Sequence, residues 1–204
     1  MRFGVSVVDV GTDHGYLCAL LAHTHPENPI LGCDIAPKPL ENAKKNIEHF
    51  GLLERVQLRL SDGLDSVLPS EAQDIVILGM GGTLIVRLLD RHAWLKDHDR
   101  QLILQPMTRA YELRRWLCDN GFSIHEEIVA REGRRLYVLM RCSFTGRRDF
   151  PLGYEYYGEL PRLKNADSAI LLQRTAGYLE KITTGQNNPR FEELAGIVRG
   201  FCEF

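Results

Sequence analysis

The chain has no Cys-x-x-Cys pair. Its five cysteines, Cys18, Cys33, Cys118, Cys142 and Cys202, stand apart, each in an apolar setting. That excludes a dithiol redox centre or zinc ribbon and predicts buried thiols in a reducing cytoplasm. The histidines lack metal-ligand spacing: His23 and His25 merely flank a turn, and no metal is expected. No apolar run approaches the length needed to span a bilayer, so no membrane partner is expected. The opening Met1-Arg2-Phe3-Gly4 is not a secretory signal. It leads almost directly into a strand, and an upstream helix is expected to be missing. Internal repeats and low-complexity tracts are absent as well. The sequence carries no signal for oligomeric state.

With 204 residues, 44% of them hydrophobic and 25% charged, the chain suits one α/β domain with a small appendage. The net charge of −2 is unevenly spread: residues 1–99 hold 9 Lys and Arg against 14 Asp and Glu, residues 100–204 hold 16 against 13. A mildly basic second half suits a polyanionic partner.

Apolar strands are expected over 5–10, 29–35, 56–60, 74–78 and 101–104, alternating with helical patterns over 15–23, 38–50, 83–89 and 112–119. Residues 123–131 and 135–142 flank Glu132-Gly133-Arg134 as a hairpin. This order predicts a doubly wound, mostly parallel sheet closed by an antiparallel hairpin, over residues 1–145. Residues 146–160, with Pro151 and a tyrosine cluster, read as a linker. Residues 161–204 read as a helical hairpin broken around 184–189.

Chemistry concentrates in Val7-Val8-Asp9-Val10-Gly11-Thr12-Asp13-His14-Gly15-Tyr16-Leu17. An apolar strand ends in an acid and turns through Gly11 and Gly15 into a helix. The spacing is not the Gly-x-Gly-x-x-Gly of dinucleotide binders, and Asp9 would repel a pyrophosphate. S-adenosylmethionine (SAM) fits better, since it has no phosphate and carries an ammonium and a sulfonium. Asp9 is placed for the ammonium. Gly11 and Gly15 let the backbone approach the ligand. Asp34-Ile35 ends the second strand, where an acid binds ribose hydroxyls. Asp62-Gly63 follows the third, where a carboxylate can accept from the adenine amine. Gly79-Met80-Gly81-Gly82 follows the fourth strand, at the position of the acceptor-facing loop. Asp13 either caps the following helix or faces the reacting base. Tyr16 is a stacking candidate or core. An arginine-rich set, Arg114, Arg115, Arg131, Arg134, Arg135, Arg147 and Arg148, is either a solvated face or a phosphate-binding one.

The segments 9–17, Gly-Met-Gly-Gly (79–82) and Leu-Ile-Leu-Gln-Pro (102–106), followed by Leu113-Arg114-Arg115-Trp116-Leu117, together resemble the bacterial TrmK family over about residues 5–142. These are tRNA adenine-N1 methyltransferases acting on position 22 of the D-arm. The resemblance implies a class I SAM-dependent methyltransferase fold, tRNA as partner, and a C-terminal helical appendage that helps hold the tRNA. Asp13, Gly79, Met80, Gly81 and Gln105 are then the catalytic candidates. The family mostly has Glu where Asp34 stands, and usually Gln-Pro-Asn where this chain has Gln105-Pro106-Met107. That last change and the short appendage leave room for a small-molecule or protein acceptor, and the abrupt start for a non-catalytic SAM- or RNA-binding role.

Overall fold

The protein is described here by a computed structural model covering residues 1–186 and 188–202. Asn187, Glu203 and Phe204, on which parts of the expected break and terminal hairpin fall, lie outside the described residues. The elements follow the expected alternation. They are β1 (Val7–Val10), α1 (Tyr16–Thr24), β2 (Ile30–Asp34), α2 (Pro37–His49), β3 (Val56–Leu60), β4 (Asp74–Met80), α3 (Gly82–Asp90), β5 (Gln101–Pro106) and α4 (Ala110–Asp119). Then come β6 (Phe122–Glu132), β7 (Arg135–Phe144), α5 (Tyr154–Tyr157), α6 (Leu160–Leu163), α7 (Ala166–Gln186) and α8 (Pro189–Gly200). The strands form one seven-stranded sheet in the order β3-β2-β1-β4-β5-β7-β6.

β1 pairs in parallel with β2 (Val7 opposite Ile30) and with β4 (Val7 opposite Asp74). Flanked on both edges, all four residues of Val-Val-Asp-Val are buried, which is why the strand reads as a continuous apolar run without alternation. β6 and β7 are antiparallel, with Glu132 opposite Arg135 across Gly133 at φ 56°. α2 starts at Pro37, whose fixed φ suits a first helical turn, and the chain leaves it through Gly51 at φ 68°.

The chain forms two compact units, Met1–Gly79 with Arg87–Leu104, and Met80–Val86 with Gln105–Phe204. In the first, Val7, Cys18, Leu21, Ile30, Ala43, Ile47, Val56 and Val76 make one buried cluster. Asp74, fully buried, accepts from the Arg2 Nε at 2.7 Å. In the second unit, Leu113, Leu117, Phe122, Leu172, Leu179, Leu194 and Val198 are buried. The stretch expected to be a linker contains α5, whose Tyr154, Tyr156 and Tyr157 are all buried. The helix expected to begin at 161 is divided. Lys164 turns through φ 46°, and Asn165 then caps a new helix by accepting from the Ser168 amide at 2.9 Å.

Candidate functional site

The turn after β1 is held by backbone. The amides of Gly11 and Thr12 both donate to the Cys33 carbonyl, at 2.8 and 2.9 Å, and the Gly15 amide donates to the Thr12 carbonyl at 2.8 Å. Gly11, Asp13 and Gly15 have φ of 79°, 48° and 71°. Asp13 thus occupies a left-handed position that aspartate tolerates better than most side chains. Its amide donates to Asp34 Oδ2 at 3.2 Å, while Asp34 Oδ1 accepts from the Ala36 amide at 3.0 Å. One carboxylate therefore ties together the turns that follow β1 and β2. The Asp13 side chain itself is exposed, 3.6 Å from His14 Nε2. Tyr16 is exposed and stacks on His14, so it is not core. Ile35 is exposed beside Asp34.

Asp9 is 4% exposed. Burial pushes its carboxyl up from the ordinary carboxylate value, against the hydrogen bonds of Thr12 and Cys18. The Cys18 thiol donates to Asp9 Oδ2 at 3.5 Å, and Thr12 Oγ1 lies 3.2 Å from the same sulfur. Among the described residues no cation is paired with Asp9. A buried acid hydrogen-bonded by a thiol and a hydroxyl, with the Asp34 charge nearby, gains from a ligand ammonium. Composition and pattern did not reveal this support. Its one sequence signal is Gly32 inside β2: a Cβ there would stand 3.0 Å from Cys18 Sγ and 3.1 Å from Thr12 Oγ1.

Asp62 is exposed after β3, and its Oδ2 accepts from Arg91 Nη1 at 3.0 Å. That hydrogen bond holds its carboxyl below the usual range. Arg91, unnoticed in the sequence, also reaches the Asp62 carbonyl and Asp65. At two of the glycines expected to face a ligand, the space a side chain would take is filled by protein. A Cβ on Gly15 would meet Ala43 Cβ at 3.0 Å, and one on Gly63 would meet Leu88 Cδ2 at 2.7 Å. Helix packing, combined with positive φ, accounts for both.

In the second unit the Met80–Gly82 loop is joined to residues 107–109. The Met107 amide donates to the Met80 carbonyl and the Gly82 amide to the Thr108 carbonyl, both at 2.8 Å. A Cβ on Gly82 would stand 2.5 Å from the Arg109 carbonyl oxygen. Gly82 thus serves backbone-to-backbone approach. A Cβ on Gly81 would stand 3.3 Å from the Thr108 hydroxyl. Gly79 differs: it is exposed, at φ 78°, with open space where a Cβ would be. Gln105 is 8% exposed, and its Nε2 reaches Met107 Sδ at 3.6 Å.

The arginine set divides. Arg114 is not on the surface: it is 3% exposed and paired through Nε with Glu127 Oε1 at 2.7 Å. It cannot offer a phosphate fork to bulk solution without abandoning a buried acid. Arg115, Arg131 and Arg147 are exposed but engaged with Glu155, Asp167 and Asp149. Arg134, Arg135 and Arg148 are exposed. Among the described residues no cluster of three His, Cys, Asp or Glu side chains could hold a metal ion, and no helix is long and apolar enough to cross a membrane.

A methyltransferase-domain family model matches residues 2–140. The tRNA (adenine(22)-N(1))-methyltransferase of Bacillus subtilis (strain 168) is 29% identical over 207 residues, covering 94% of this chain and 87% of that protein. The crystal structure of the B. subtilis m1A22 tRNA methyltransferase TrmK superposes with a TM-score of 0.83 at 26% identity, covering 98% of this chain and 93% of that one. The chain belongs to the TrmK family. M. capricolum TrmK, solved with S-adenosylhomocysteine, superposes with a TM-score of 0.76 at 25% identity, covering 98% and 90% of the two chains. The fold is that of class I SAM-dependent methyltransferases. In this TrmK-family chain the acids at the tips of β1 and β2 fit such a donor: Asp9 is buried and without a cation, and Asp34 closes the adjoining turn.

Proposed function

We propose that this TrmK-family chain methylates N1 of adenine at position 22 of tRNA, in the D-arm, using SAM. The observation that carries this reading is the row of carboxylates, Asp9, Asp34 and Asp62, at the ends of three adjacent parallel strands. That row suits a cationic, phosphate-free donor. The tRNA acceptor follows from likeness to the B. subtilis enzyme. A cytoplasmic setting goes with that substrate and with five unpaired thiols.

Asp9 would hold the donor's ammonium, Asp34 its ribose hydroxyls, and Asp62 its adenine amine. Bound SAM supplies an electrophilic methyl group. Adenine N1 has a free in-plane lone pair, so no base must first remove a proton; the chain's task is alignment and exclusion of water. Its N1 is hidden in paired or stacked RNA, and the target base must be splayed out. The methylated base is cationic, and an acid facing it stabilises the growing charge. Asp13 is the exposed acid of the glycine-bounded turn and takes that role. Gln105 and the Gly79–Gly81 backbone orient the base edge, with Met80 lining the path.

The test is methyl transfer from labelled SAM to tRNA, mapped by blocked reverse transcription. Transfer is expected to tRNA with adenine at position 22 and to be lost when that base is changed. Transfer unaffected by the base change would refute the assignment. Asp13→Asn keeps the left-handed turn tolerable. It is expected to bind SAM like the parent while turnover falls by about tenfold to a hundredfold. Calorimetry and single-turnover kinetics measure the two separately, and a variant with full turnover would remove Asp13 from the reaction.

A further inference from the structure

α4, α5 and α7 border a cavity of about 480 Å³ that none of the roles above uses. The volume lies within the range of small-ligand sites. Its lining is both cationic and aromatic: Arg109, Arg114 and Arg174, with Tyr111, Tyr156 and Tyr178. Tyr111 stacks on Tyr156, with ring centroids 5.6 Å apart and planes 19° from parallel. Tyr178 stands 5.9 Å from Tyr111 and is 43% exposed.

The three arginines are not equivalent. Arg109 Nη1 donates to Glu112 Oε1 at 2.6 Å. Arg114 has Nε on Glu127 and Nη1 directed at the carbonyls of Glu155 and Tyr156, at 3.3 and 3.4 Å. Its Nη2, however, is buried without a hydrogen-bond partner. A buried charged donor lacking an acceptor is costly and calls for one. Arg174, exposed on α7, forms no ion pair with any described residue. The lining therefore combines flat rings with an unneutralised cation, beside a buried guanidinium. That is the chemistry of a stacked base joined to a phosphate.

We propose that this cavity receives one nucleotide of the tRNA strand, its phosphate on Arg174 and its base against Tyr178. The proposal rests on tRNA being the substrate. A free nucleoside monophosphate has the same chemistry, and the experiment separates the two sources.

Binding of transcribed tRNA to the full chain is followed by fluorescence anisotropy over a range of salt, for the parent, Arg174→Gln, Tyr178→Ala, Tyr178→Phe and, as a charge control on α2, Lys45→Gln. Tyr178→Ala is expected to weaken binding about tenfold, as loss of one stacked base does, while Tyr178→Phe restores it. Arg174→Gln is expected to lower the slope of log affinity against log salt by about one, the signature of one phosphate contact. Lys45→Gln should bind like the parent. Adenosine 5′-monophosphate should compete for the cavity well below the concentration of inorganic phosphate that does so. Parent-like tRNA affinity and slope in both cavity variants overturn the proposal, as does a parent that binds no tRNA. Mononucleotide binding that the variants abolish while tRNA affinity stays unmoved overturns it in favour of a free nucleotide. tRNA held through the cavity but never methylated would instead refute the proposed reaction and support the cavity.

Discussion

Asp34→Ala is expected to lose SAM binding by roughly a hundredfold to ten-thousandfold. A carboxylate gripping two ribose hydroxyls makes two charge-assisted hydrogen bonds, each worth about 1.5–3 kcal/mol. The alanine also releases the amides of Asp13 and Ala36, which Asp34 holds at 3.2 and 3.0 Å. The turn after β1 would therefore lose part of its preorganisation along with the ribose contact. Asp34→Asn separates the two effects. Its amide oxygen can still accept from one turn amide, but it brings no charge, so its affinity should fall between parent and alanine. Isothermal calorimetry with SAM reads both variants. Parent-like affinity in Asp34→Ala would refute the ribose assignment.

The largest expected effect on stability belongs to Arg114. Replacing it with methionine leaves Glu127, 1% exposed, with the Glu159 amide at 2.9 Å and no counter-charge. Breaking a buried pair from one side costs about 3–5 kcal/mol. In a chain of this size that lowers the thermal midpoint by about 10 °C. Removing both charges behaves differently: Arg114→Met with Glu127→Leu is expected to recover most of the loss, because neither ion must then be desolvated. Gly158 sets a limit on repacking, since a Cβ there would stand 2.5 Å from Arg114 Nε and 2.6 Å from Glu127 Oε2. Thermal melts of the single and double variants check the prediction. A single variant as stable as the parent would show the pair to be dispensable.

Much of the fold was legible from local chemistry. Val-Val-Asp-Val reads as a buried strand because it lies inside a parallel sheet with neither face wet. Gly11, Gly51 and Gly133 mark turns because positive φ is a local demand. The acids Asp9, Asp34 and Asp62 were legible because each ends or follows a recognisable strand. Other features were not. The close packing at Gly15, Gly63 and Gly82 was not legible, since a glycine needed for ligand approach and one needed for helix or backbone approach look the same in sequence. The 146–160 stretch has the composition of a linker, yet three of its tyrosines are buried. Asp62 gave no sign of Arg91, which comes 29 residues later.

The arginines show the division most clearly. Charge and spacing alone determined that residues 114–148 are rich in guanidinium, and that the strand tips are acidic, because both are properties of the linear chain. Only tertiary packing decided which arginines remain in water. Arg114 and Arg115 are neighbours in sequence, but one faces Glu127, 13 residues away, and the carbonyl of Tyr156, 42 residues away. A charge stays buried only where such distant partners converge on it, and that convergence exists in three dimensions, not along the chain.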